Sequence, residues 1–147
     1  MVSFMIAVSW CLAGGKCRYD GTAKPNDRAM ALAQEGALCI CPEQMGGLST
    51  PRQPSEIVGG DGEDVLWGRA KVMTADGRDV TAEYIAGAEE ALRLCRERGV
   101  THAVLKSFSP SCGCGCIYDG SFTGRRKPGY GVTAALFKRN GITVTSE

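Results

Sequence analysis

The sequence predicts an α/β fold in which a mostly parallel sheet carries helices on both faces. Three observations predict it. Short apolar runs, continuous rather than alternating, are spaced along the chain at residues 4–9, 37–41, 100–106 and 142–145, as strands buried on both sides require. Segments of helical period separate several of these runs. Glycine stands just past each such segment, at Gly36, Gly99 and Gly141, where a helix ends most easily.

The elements follow in order. Residues 4–9 (FMIAVS) read as the first strand, ending at Trp10-Cys11-Leu12-Ala13-Gly14-Gly15, with a polar loop from Lys16 to Gly21 behind it. Asn26 is placed to cap a helix over residues 27–34. Residues 37–41 (ALCIC) form a second buried strand that halts at Pro42, with Glu43 next. Residues 46–79 are rich in glycine and proline, with turn signals at Gly59-Gly60-Asp61-Gly62 and Ala75-Asp76-Gly77. This stretch is expected to be an ordered excursion over the site, with residues 71–74 as a strand of a small hairpin. Thr81 opens the clearest helix, 82–98, in which Tyr84, Ile85, Ala88, Leu92 and Cys95 recur on one face. Residues 100–106 form the third strand, 132–140 the last helix and 142–145 the last strand.

Right-handed crossovers between such strands build a three-layer, Rossmann-like sandwich. Ligands of these sheets bind outside the carboxyl ends of the strands. Cys11 lies just past strand one, Cys41 closes strand two and Cys112 follows strand three. Three thiols far apart in sequence are therefore expected on one edge.

The third of these lies in Ser109-Pro110-Ser111-Cys112-Gly113-Cys114-Gly115-Cys116. Three thiols, two glycines and a proline suit neither a core nor a helix interior. Glycine lets the backbone approach a ligand closely, and proline fixes one φ angle. Such a loop presents side chains, and the first reading is a metal centre built on Cys11, Cys41 and Cys112.

Composition bounds the rest. A chain of 147 residues fits one domain, residues 1–147, and buries roughly 70% of its unfolded surface on folding. A net charge of +1 argues against a dedicated binder of long nucleic acid. No run approaches the ~20 apolar residues of a membrane span. Met1-Val2-Ser3-Phe4 lacks the charged region and cleavage site of a signal peptide, so a cytoplasmic location is expected. Eight cysteines in a reducing compartment point to metal binding or catalysis rather than disulfides. Structural zinc favours paired C-x-x-C or cysteine with histidine. Here the close pairs are C-x-C and His102 is the one histidine, so zinc fits poorly. Thiolates also suit iron–sulfur clusters. A cubane on three cysteines leaves one iron open as a Lewis acid.

Several motifs then stand in order. They are Ser9-Trp10-Cys11-Leu12-Ala13-Gly14, Cys17-Arg18-Tyr19-Asp20-Gly21, Cys41-Pro42-Glu43 and Gly46-Gly47-Leu48. Pro51-Arg52-Gln53-Pro54, Glu56-Ile57-Val58-Gly59-Gly60-Asp61-Gly62 and Ser109-Pro110-Ser111-Cys112-Gly113 continue them, and Ile117-Tyr118-Asp119-Gly120 and Gly131-Val132-Thr133-Ala134-Ala135-Leu136 complete them. Together they resemble the bacterial thiouracil desulfidase family over nearly the whole chain, in its stand-alone form. The resemblance implies a [4Fe–4S] cluster on Cys11, Cys41 and Cys112 with one open iron. It implies replacement of the sulfur of a small thiolated pyrimidine, such as 2-thiouracil, by oxygen from water. Sulfide leaves without net redox change. It further implies Glu43 as a base or proton shuttle, and Ser111 as a proton relay or substrate contact. Without it, Glu43 reads as a capping carboxylate and Ser111 as a turn hydroxyl.

Cys17 is an alternative ligand to Cys11. Cys39 shares a strand face with Cys41 and is a spare. Cys114 and Cys116 depart from the family pattern and leave open which loop thiol binds metal. Cys95 reads as core. Asp20, Asp61 and Asp119 read first as turn residues, His102 as structural, and Arg125-Arg126-Lys127 as a solvated loop. Arg52 reads equally as a substrate contact or a solvated charge, and Trp10 and Trp67 as core residues before stacking platforms. Two other functions stay open: a zinc or iron–sulfur protein that handles sulfur without turnover, and a desulfidase acting on thiolated tRNA.

Overall fold

A computed structural model describes residues 5–147; the predicted start of strand one at residue 4 lies outside them. Its central sheet has four strands in the order β2-β1-β5-β8, namely Leu38–Ile40, Ile6–Ser9, His102–Leu105 and Thr143–Ser146. All three pairings are parallel, with Val8 facing Cys39 on one side and Val104 on the other. The predicted class holds.

Alternate residues of the central strands feed two cores, which is the physical content of the three layers. Ala7, Ala103 and Leu105 enter the larger core with Tyr84, Ala88 and Phe137 of helices α4 (Thr81–Arg98) and α5 (Val132–Arg139). Val8 and Val104 enter a smaller one with Leu32 of α1 (Asp27–Gln34) on the opposite face. Asn26 caps α1 by accepting from the Ala29 amide at 3.0 Å. Gly99 ends α4 at φ 68°, a left-handed conformation that favours glycine.

Chain order runs from β1 outward to β2, then returns to β5 beside β1 and out to β8 on the other side. The switch point of the sheet therefore lies between β1 and β5. Ser9 Oγ joins the two ends there, accepting from the Lys106 amide at 2.9 Å.

Six short elements have no counterpart in the sequence reading, β3 (Ser55–Val58) among them. Residues Trp10–Ala13 form a 3-10 turn, α2 is the single turn Pro42–Met45, α3 is Gly62–Leu66, and a second hairpin joins β6 (Cys116–Tyr118) to β7 (Arg126–Pro128). Each is five residues or shorter, too brief to show a period. The expected hairpin strand Lys71–Thr74 is β4, paired antiparallel with β3 (Ser55–Val58). Between them Asp61 caps α3 through a reciprocal bond with Asp64. Among the described residues no helix is long and apolar enough to cross a membrane.

The short α2 matters most. It meets α4 backbone to backbone: a Cβ on Gly46 would lie 2.0 Å from the Glu83 carbonyl oxygen, and one on Gly87 1.8 Å from that of Pro42. Glycine at both positions is what lets α2 lie this close, and α2 carries Glu43 with Cys41 at its N-cap.

Candidate active site

A cavity of about 110 Å³ opens at the switch point. Cys11, Cys17, Cys41 and Cys112 all line it. Cys11 arrives on the 3-10 turn, closed by Gly14 at φ 104°, with the Gly14 amide returning to the Cys11 carbonyl and the Gly15 amide to that of Trp10 at 2.9 Å. Cys41 ends β2 and begins α2. Cys112 is set by Ser109, whose Oγ accepts from the Ser111 amide at 3.0 Å and the Cys112 amide at 3.1 Å. The start of α5 locks the same loop, with the Val132 and Thr133 amides donating to Pro110 and Ser111 at 2.8 Å each. The structure thus gathers the three predicted thiols at one sheet edge and adds Cys17.

The thiols differ electrostatically. Contact with the Cys17 side chain pulls Cys11 down and Cys41 down to about 7 and pushes Cys17 itself far up, and Cys41 Sγ lies 3.9 Å from the Cys17 carbonyl. Burial pushes Cys112 up, against a bond from the Ser9 hydroxyl. A cation beside it is needed to hold Cys112 as thiolate. Lys106 and Arg18 are the cationic side chains in the lining; burial pulls the Lys106 ammonium below the ordinary lysine value, against the attraction of Cys11 and Cys112.

Glu43 also lines the cavity. The Tyr84 hydroxyl donates to its Oε1, and Arg52 Nη2 lies 3.2 Å from its Oε2. Ser111, expected as a proton relay or substrate contact, sits directly behind Cys112. Its hydroxyl is buried, bonded to Thr133 Oγ1 at 2.8 Å and in contact with Cys112 Sγ at 3.9 Å, and it does not reach the lining. Ser109 and Ser107 present the loop hydroxyls there. Pro110 lies between Ser109 and Ser111, and the turn sends the two side chains different ways.

The spare thiols do not join the site. Strand β2 ends at Ile40, so Cys41 leaves the strand alternation; Cys39 packs in the α1-side core while Cys41 packs beside Cys11 and Cys17. Cys95 is core, and Cys114 Sγ bonds the Val144 carbonyl at 3.4 Å. Cys116 pairs opposite Pro128 in the second hairpin. Asp20 and Asp119 close local turns onto Thr22 and Ser121. His102 bonds Thr145 at 2.9 Å. Trp10 and Trp67 are exposed, against the expectation of core, and neither lines the cavity. Tyr19 does. Arg126 stacks on Phe108 at 3.6 Å. Among residues 46–79 none lines the cavity; the excursion reaches the site through Arg52, behind Glu43.

Lys106, Ser109, Tyr19 and Tyr84 went unread in the sequence. The edge rule would have found Lys106, which directly follows β5. Tyr84 has no local signal, since a tyrosine on an apolar helix face reads as core.

The donor set fits an iron–sulfur group. Every cysteine is free of disulfide, four soft thiols share one cavity, and two are drawn toward thiolate. Among the described residues no three His, Cys, Asp or Glu side chains gather tightly enough to hold one metal ion. Zinc draws each sulfur to about 2.3 Å of a single point, whereas a cubane takes each thiolate on a separate iron.

Fold and cavity together define an α/β protein with a thiol-lined site at its sheet switch point. The chain belongs to the 2-thiouracil desulfurase family, whose model matches residues 6–147. It is similar to a solved structure described as a [4Fe-4S]-dependent thiouracil desulfidase, TudS, at 49% identity and a TM-score of 0.84, covering 97% of this chain and 89% of that one. It is 50% identical over 144 residues to the uncharacterized protein YbbK of Bacillus subtilis (strain 168), covering 97% of this chain and 95% of that one.

Proposed function

We propose that this protein is a [4Fe–4S]-dependent desulfidase that converts a thiolated pyrimidine such as 2-thiouracil, with water, to the oxo-pyrimidine and hydrogen sulfide. The observation that carries the reading is the convergence of the thiols with Glu43 on one small cavity. When bound, the cluster supplies a thiophilic Lewis acid at its open iron. Cys11, Cys41 and Cys112 would hold it, as the family motif implies, with Cys17 beside them.

The chain's own groups do the rest. Glu43 takes a proton from the attacking water and returns one to the departing sulfur. Lys106 faces negative charge that develops on the ring or the sulfur. Ser109 offers a hydroxyl to the ring edge and Tyr19 a ring face. Ser111, held by Thr133, supports Cys112 from behind. The size of the cavity and the +1 net charge favour a free base over tRNA, and a cytoplasmic setting suits a reduced thiol site.

The test is anaerobic reconstitution with iron and sulfide, followed by iron analysis and assay of sulfide released from 2-thiouracil. Four irons with release support the reading. Four irons without release remove thiouracil as substrate, and parallel assays on thiolated tRNA decide that alternative. One zinc without iron overturns the mechanism.

A further inference from the structure

Arg52 sits behind the site with only 5% of its side chain exposed, although its sequence setting between Pro51 and Pro54 suggests a loop. Its two terminal nitrogens have four acceptors. Nη1 donates to the Thr50 hydroxyl at 2.8 Å and the Ser49 carbonyl at 3.1 Å. Nη2 donates to the Cys17 carbonyl at 2.9 Å and pairs with Glu43 Oε2 at 3.2 Å. The Arg52 amide donates to the Tyr19 carbonyl at 2.7 Å. Thr50 Oγ1 is tied back to α2 as well, accepting from Gln44 Nε2 at 2.8 Å. Nε alone has no partner among the described residues.

One guanidinium thus joins three segments: α2 with Glu43, the loop that carries Cys17 and Tyr19, and residues 49–52. We infer that Arg52 is a positioning residue, which holds the carboxylate of Glu43 and the Cys17 wall of the cavity in a single fixed relation. With Tyr84 on Oε1 and Arg52 on Oε2, each carboxylate oxygen has one fixed partner. The lone pairs that remain are left for the cavity side. Lysine cannot substitute, because a point charge lacks the planar fork that reaches a carboxylate and a carbonyl together. The inference rests on Glu43 as the proton-handling group.

The experiment compares Arg52→Gln, Arg52→Lys, Glu43→Gln and the double variant, with two readouts. In the reconstituted enzyme, Arg52→Gln is expected to lower kcat by about 10–100-fold with KM little changed, a fraction of the ~10²–10⁴-fold that general acid–base catalysis contributes. The double variant is expected to be no slower than Glu43→Gln alone, as for groups that act as a unit. In cluster-free protein, iodoacetamide is expected to alkylate Cys17 roughly tenfold faster in Arg52→Gln than in the parent, because its loop opens locally. Arg52→Lys restores neither quantity fully, and it decides the matter if Arg52→Gln does not fold. Full turnover in Arg52→Gln beside an inactive Glu43→Gln overturns the inference and leaves the functional reading intact. Full turnover in Glu43→Gln overturns the reading of Glu43 itself. Additive losses in the double variant, or an unchanged Cys17 alkylation rate, also overturn the inference.

Discussion

Gly46 and Gly87 touch across α2 and α4, with a Cβ on Gly87 falling 3.0 Å from the Gly46 amide nitrogen and 1.8 Å from the Pro42 carbonyl oxygen. That contact sets the depth at which Cys41 and Glu43 enter the cavity, and it brings Tyr84, one turn earlier on α4, to the Glu43 carboxylate.

Gly87→Ala is therefore expected to act on site and stability together. The methyl meets backbone that no rotamer change can move, an overpacking that costs roughly 2–3 kcal/mol. Urea denaturation of cluster-free protein measures the loss, and iron content after reconstitution measures the displacement of Cys41. A variant with parental stability and full iron loading would show that the two helices separate freely.

The ligand set is tested by four serine variants. Cys41→Ser and Cys112→Ser are expected to take up little iron, and so is Cys11→Ser, whereas Cys17→Ser is expected to load. The absorbance of the reconstituted cluster and iron analysis give the readout. Loading in Cys11→Ser with none in Cys17→Ser exchanges the roles of these two thiols.

Ser109 and Ser111 separate on different measurements. Ser109→Ala removes a lining hydroxyl and the acceptor for two loop amides, and is expected to lower turnover at least tenfold, within the range for a proton-handling or orienting group. Ser111→Ala leaves Thr133 without its buried partner, a cost of about 1–3 kcal/mol, with most turnover kept. If Ser111→Ala instead abolishes turnover in a stable, loaded protein, the hydroxyl reaches the reaction after all.

Tyr84 is expected to impose a pH dependence of definite sign. Burial, with Glu43 beside it, pushes its phenol well above the ordinary tyrosine value. Folding then favours the protonated form. The stabilisation is complete below about 10, the value for an unfolded tyrosine, and is lost as pH rises beyond it, because the unfolded chain ionises first. Denaturation at about pH 8 and about pH 11 is expected to show a larger alkaline loss for the parent than for Tyr84→Phe. Equal losses contradict a buried phenol.

Much of this protein follows from the chain read in order. Continuous apolar runs, a capped α1 and a glycine stop at residue 99 are local matters, and local propensities decide them. The placement of Cys11, Cys41 and Cys112 on one edge also follows, because parallel strands point their carboxyl ends the same way. Tertiary structure decided what lies between those thiols. Cys17 joins them because its loop folds back under Arg52, 35 residues away, and Glu43 acquires Tyr84 from 41 residues away. Ser109 rather than Ser111 faces the cavity because α5 docks on the cysteine loop and buries Ser111 against Thr133. Contacts of this kind leave no periodic trace in a sequence. They exist only once helix packing and loop closure have brought distant backbone to within hydrogen-bonding distance.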